Sequence, residues 1–192
     1  MSNEIVLDIE TQNTYQEVGS RDNRLLKVSL VGVYFFRNDT YVSYLEHELP
    51  KLWPELERAD RVIGYNIKGF DWPVLNNYYP GDTMHFPTLD LLEVIDKRLG
   101  YRIKLDSVAE GTLGYGKSGN GLQAVEFFRT GDIEKLRSYC LQDVKVTKEV
   151  YEYGVANRTV KFKDLFGVTK EIQVDFSVAS TPNRAVNLTI GL

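Results

Sequence analysis

Seven residues near the start, Ile5-Val6-Leu7-Asp8-Ile9-Glu10-Thr11, combine an apolar run with two carboxylates two positions apart. The apolar and β-branched content predicts a buried strand. Side chains of a strand alternate between two faces, so Asp8 and Glu10 share one face while Leu7 and Ile9 share the other. No Lys or Arg stands in the stretch to pair them, and two carboxylates held that close repel. A core strand bears this when positive charge sits between them, and a divalent cation bound by hard oxygens is the obvious candidate. A solvated edge strand would carry the same pattern, so the stretch alone leaves both readings open.

With 192 residues and 43% hydrophobic content, the chain has material for one globular domain with a full core and a small appendage. No run approaches the roughly 18 apolar residues of a membrane span. Glu4 and Asp8 flank the first strand, where a secretory signal would place basic and apolar regions. The single cysteine excludes an internal disulfide and fits a reducing cytosol, so a cytoplasmic protein without a membrane partner is expected. A formal charge of −4 does not advertise nucleic-acid binding, although a local basic surface can coexist with it.

Taken in order, Gln12 to Arg24 is polar and aperiodic and reads as a loop. Leu25 to Phe36 reads as a second strand, Asn38-Asp39 as a turn and Thr40 to Leu45 as a third strand, which together make an antiparallel meander. Glu48 to Ala59 has helical spacing, with Pro54 expected in or near its first turns. Arg61 to Tyr65 is a short crossover strand and Phe70 to Tyr79 a short helix. From Thr88 onward the pattern predicts helices over Leu89 to Leu99, Leu105 to Leu113, Leu122 to Arg129 and Asp132 to about Asn157, with Asp132 as the last N-cap. Val160 to Leu165 and Glu171 to Phe176 read as a closing hairpin around Phe166-Gly167. The expectation is an α/β fold, a mixed sheet flanked by helices, over residues 1–157, with a hairpin and tail over 158–192.

Two later acidic positions stand beside the first pair. Asp71 lies where a strand and turn lead into a helix start. Tyr139 and Asp143 are four apart on the long helix and share a face. Taken singly, Asp71 reads better as a helix cap, and Tyr139 with Asp143 as an ordinary amphipathic pair. Together they resemble the DEDD superfamily of 3′–5′ exonucleases, which has an RNase H-like fold. The first motif, Asp-x-Glu, is Asp8-Ile9-Glu10; the second, Asn-x-x-x-Phe-Asp, is Asn66 through Asp71; the third, Tyr-x-x-x-Asp, is Tyr139 to Asp143 and matches the tyrosine branch. The wording around Gly64-Tyr65-Asn66-Ile67 and Tyr139-Cys140-Leu141 is most similar to the proofreading domain of family B DNA polymerases, and a stand-alone exonuclease or a subunit is the expectation.

The resemblance implies two divalent cations, Mg²⁺ or Mn²⁺, with Asp8 bridging both, Glu10 and Asp143 on the water-side ion, Asp71 on the other, and Tyr139 holding the attacking water. The chemistry suits those groups: two hard cations activate water and stabilise the leaving oxygen, and four carboxylates can hold them. A tyrosine of ordinary pKa, about 10, would orient the water rather than deprotonate it. The expected substrate is a single-stranded 3′ end, DNA before RNA, in a repair or replication setting. A catalytically idle binding module and a metal-dependent endonuclease of the same fold stay open as alternatives.

Several further residues are candidates for substrate contact. Tyr65, Asn66 and Phe70 flank the second motif, and the two aromatics can stack on a frayed strand or simply pack in the core. Thr11 follows the first motif. Lys117 ends Gly111-x-x-x-x-Gly116-Lys117-Ser118, which spells a phosphate-binding loop without the strand before it or the helix after it that such a loop requires; Lys117 could still meet a substrate phosphate. Lys97, Arg98, Arg102 and Lys104 are the densest basic cluster, more simply a solvated face. The hairpin has one apolar face that needs a cover: the chain's own helices, a second copy in a homodimer, or a helicase- or polymerase-like partner.

Overall fold

A computed structural model describes residues 3–116, 121–164 and 166–177. The first strand, β1 (Glu4–Thr11), pairs antiparallel with β2 (Val28–Phe35), which pairs with β3 (Thr40–Leu45). Helix α2 (Leu49–Glu57) then carries the chain across to β4 (Arg61–Gly64), parallel to β1, and β5 (Thr88–Asp90) adds parallel to β4. The sheet order is β3-β2-β1-β4-β5. This is the expected mixed α/β sheet of RNase H-like form, with the meander on one side of β1 and the crossover on the other. β5 was not expected: three residues running straight into a helix leave too short a signal for period two.

The two faces of β1 separate two cores. Ile5, Leu7 and Ile9 pack with Leu52, Leu56 and Trp72 from α2 and from α3 (Asp71–Leu75). Val6 faces the other way, onto α4 (Leu91–Leu99), α5 (Leu105–Leu113) and the long α7 (Ile133–Asn157). Pro54 lies inside α2, past its first turn, and Pro50 takes the early position instead. Asp132 caps α7 by accepting the Lys135 amide at 3.3 Å. The segment read as a loop holds a short helix, α1 (Tyr15–Val18), started by a reciprocal cap between Thr14 and Glu17. That Thr-x-x-Glu signal was present in the sequence.

The hairpin forms from β6 (Thr159–Lys163) and β7 (Thr169–Gln173) as a separate two-stranded sheet. Its apolar side does not wait for a partner. Val160, Phe162, Val174 and Phe176 are all at most 4% exposed and join the core of α4, α5 and α7. Gly111 of α5 makes the seat possible, because a Cβ there would lie 2.5 Å from the Phe162 Cα. The same contact removes the phosphate-loop reading, since its first glycine is inside a helix and packed on a strand. Lys117 and Ser118 lie outside the described residues.

At the start of β1 and β4, Arg61 donates to Glu4 at 2.8 Å, to the Tyr151 hydroxyl at 2.8 Å and to the Ser177 carbonyl at 3.1 Å. Tyr151 in turn donates to the second Glu4 oxygen at 2.9 Å. Burial pushes the Tyr151 hydroxyl up to about 12, with the Arg61 charge opposing it. Both ions are about 10% exposed at the side chain, so removing one leaves the other buried. Arg61→Ala is expected to cost about 3–5 kcal/mol, measured as a shift of the urea midpoint; a loss below 1 kcal/mol would show the network to be a surface pair.

Candidate active site

The carboxyl ends of the parallel strands β1 and β4, where the chain turns to opposite sides, are where open α/β sheets bind ligands. A cleft of about 390 Å³ opens there. Asp8, Glu10 and Thr11 reach it from β1, and Tyr65, Asn66, Phe70 and Asp71 from the turn after β4 and the start of α3. Tyr139 and Asp143 enter from α7. The structure therefore brings together every residue named from the three motifs, along with Thr11, Tyr65, Asn66 and Phe70; Lys117 alone lies outside the described residues.

Backbone packing explains the convergence. Asp8 pairs across the sheet with Gly32 of β2. A Cβ on Gly32 would stand 2.7 Å from the Cys140 Sγ and 2.9 Å from Val144 of α7, so the missing side chain lets α7 lie against the sheet beside Asp8. The Cys140 thiol donates to the Asp8 carbonyl at 3.7 Å. Burial raises that thiol well above its usual range, with the charges of Asp8, Glu10 and Asp143 adding to the effect. Sequence reasoning passed over Gly32, because only the tertiary contact shows its use.

Asp71 does not cap its helix. Phe70 holds the N-cap position without a side-chain cap bond, and Asp71 is a buried first residue, 3% exposed. Burial lifts its carboxyl well above the carboxylate range, and the neighbouring charges of Asp8 and then Asp90 lift it further, while the backbone amides of Asp71 and Ile9 work the other way.

Asp90 is the residue that sequence reasoning missed. Its carboxylate accepts the amides of Asn66 at 2.8 Å, Lys68 at 3.1 Å, Leu92 at 3.0 Å and Glu93 at 3.3 Å. One side chain thus caps α4 and pins the turn that carries Asn66, whose φ of +66° is a left-handed conformation asparagine tolerates better than most residues. The signal was an Asp directly before a helical run, a cap pattern hidden by starting the helix at Leu89.

Helices α1 and α6 (Gly121–Arg129) complete the walls, with Asn13, Thr14, Tyr15, Leu122 and Val125 lining the cleft. The Tyr15 hydroxyl donates to Asn23, whose amide group donates to the Gly69 carbonyl next to Phe70. Arg129 of α6 pairs with Glu17 of α1. These links brace α1 against both the Phe70 turn and α6.

Among the described residues lining the cleft there is no Lys or Arg. Asp8, Glu10 and Cys140 offer ligand atoms within 4.8 Å of one another, and the thiol, kept protonated by its surroundings, is a poor partner for a hard cation. The oxygen-rich donor set, with one deeply buried carboxyl whose ionisation is opposed by its neighbours, fits a hard divalent cation better than a softer metal.

A family model described as RNase_H superfamily matches residues 5–155. Among solved structures, the chain is similar to the family B DNA polymerase from the hyperthermophilic archaeon Pyrobaculum calidifontis, with a TM-score of 0.62 at 20% identity. The match covers 81% of this chain and 25% of the polymerase chain, so it spans about a quarter of that protein and speaks for the fold. No curated protein matches the sequence.

Proposed function

The chain belongs to the RNase H superfamily, and we propose that it is a metal-dependent 3′–5′ exonuclease acting on single-stranded ends, DNA in preference to RNA. The observation that carries this reading is the meeting of Asp8, Glu10, Asp71, Asp143 and Tyr139 in one cleft from β1, α3 and α7. The four carboxylates would hold two divalent cations, whose bound state supplies an acidified water and relief of charge on the phosphate. Tyr139 packs edge-on to Phe127, with ring centroids 6.4 Å apart, a contact that holds the ring and supports a role for its hydroxyl in orienting the attacking water. The cleft, about 390 Å³, is of the order of size of one nucleotide, which supports a reading in which a single terminal residue enters it. Tyr15, Leu26 and Phe70 on its wall offer apolar surface to a base, whereas the Tyr65 hydroxyl is already engaged, donating to the Ile103 carbonyl at 2.8 Å.

The test is incubation of 5′-labelled single-stranded DNA and RNA with Mg²⁺, Mn²⁺ or EDTA. A ladder shortening from the 3′ end supports the reading. Internal cuts would make the protein an endonuclease, and retention without cleavage a binding module.

Tyr139→Phe separates positioning from metal binding. The ring and its contact with Phe127 remain, so the rise in melting temperature with Mn²⁺ should match wild type while kcat falls about 10²–10⁴-fold. A variant as fast as wild type would remove Tyr139 from the reaction.

A further inference from the structure

A second concavity, about 510 Å³, lies between the α4–α5 connection and the tip of the hairpin. Tyr101, Arg102 and Lys104 line one side, and Lys163, Phe166 and Lys170 the other. Tyr101 is 50% and Phe166 90% exposed, so each ring presents a face to solvent. Four cations against one lining acid, Asp164, give this groove the opposite sign to a chain of net charge −4. Two of them are held by acids, Lys170 by Asp164 at 3.0 Å and Lys163 by Glu110 at 3.6 Å.

The groove is joined to the cleft by two hydrogen bonds. Arg102 donates to the Asn66 side-chain oxygen, and Tyr65 donates to the Ile103 carbonyl. Asn66 and Tyr65 line the cleft, while Arg102 and Ile103 line the groove. The groove beside the cleft thus presents four cations, Arg102, Lys104, Lys163 and Lys170, next to the carboxylates. From this geometry we infer that the groove is the track for the single strand lying 5′ to the nucleotide in the cleft, with cations on its phosphates and the exposed rings stacking on its bases. Alternating positive charge and aromatic faces is the chemistry that grips a single strand without reading its sequence. The inference rests on the nuclease reading for the direction of the strand, and its binding surface can be tested without it.

Phe166→Ala and the double variant K104E/K170E alter exposed side chains of the groove and leave the cleft untouched. Binding of a fluorescent 20-nucleotide single strand is measured in EDTA across a salt series, and cleavage of a trinucleotide is measured with Mn²⁺. Phe166→Ala should weaken 20-mer binding roughly 5- to 150-fold. The double variant should weaken it too, and should lower the slope of log affinity against log salt by about 1.4, for two lost phosphate contacts. Trinucleotide cleavage should stay at the wild-type rate in both. If wild type cleaves nothing but the variants lose 20-mer binding, the track stands and the nuclease reading falls. Unchanged 20-mer binding in both variants, with melting temperatures showing them folded, overturns the track whatever the cleavage result.

Discussion

Asp8→Asn is expected to lower phosphodiester hydrolysis by about 10³-fold or more, because bound cations contribute several kcal/mol to the transition state and each 1.36 kcal/mol is a factor of ten. The substitution is nearly isosteric, and Asp8 is only partly buried and opposite Gly32, so the fold should survive. It also changes the sign of a stability effect. In the metal-free protein, Asp8 is among the charges that oppose ionisation of Asp71, so the asparagine variant should melt at or above wild type in EDTA. With Mn²⁺ at 100 times its dissociation constant, wild type should gain about 2.7 kcal/mol and the variant far less. A variant that keeps wild-type turnover, or a wild type whose melting temperature ignores millimolar Mn²⁺, would end the assignment of this cleft to metal-assisted hydrolysis.

Truncation after Asn157 should unfold the protein. The sequence alone left the hairpin's cover open between the chain's own helices, a second copy and a partner, and in the last two cases the hairpin could be removed to leave a working nuclease. The packing says otherwise, since Val160, Phe162, Val174 and Phe176 sit in one core with Leu91, Ile95, Leu105 and Val108. Burial of four such side chains is worth about 1.5–3 kcal/mol each, roughly 6–12 kcal/mol together, against a total stability of about 5–15 kcal/mol for a typical domain. The expected result is a chain without a cooperative thermal transition. A truncated protein that melts sharply and cleaves short oligonucleotides would restore the hairpin as an accessory and reopen its partner role.

What could be read from the sequence was what chemistry writes into short spacings. The Asp8-x-Glu10 alternation places both carboxylates on one face wherever the strand lies, and Tyr139 and Asp143 share a helix face by geometry alone. The meander, the crossover and the long helix followed from periodicity. The misses have two physical origins. Short elements carry too few residues to show a period, which hid β5 and α1, although the Thr14–Glu17 cap and the Asp90 cap were legible as signals. Long-range contacts have no local trace at all. That Gly32 admits α7, that Gly111 seats the hairpin, and that Tyr15 and Leu122 wall the cleft depend on neighbours far away in the chain.

The Arg61 network bears on how the chain could be rewired. Glu4 and Ser177 both bond to this one guanidinium, so the two ends of the described chain meet within the reach of a single side chain. The cleft lies at the opposite ends of β1 and β4. Ends that lie close together tolerate circular permutation, and a linker joining residues 3 and 177 would pass far from the carboxylates. New ends at the exposed Asn38-Asp39 turn would leave β1, α3 and α7 unbroken. Between residues 3 and 177, the described chain thus nearly closes on itself at Arg61, and the order of its elements could be cut elsewhere without dividing the cleft.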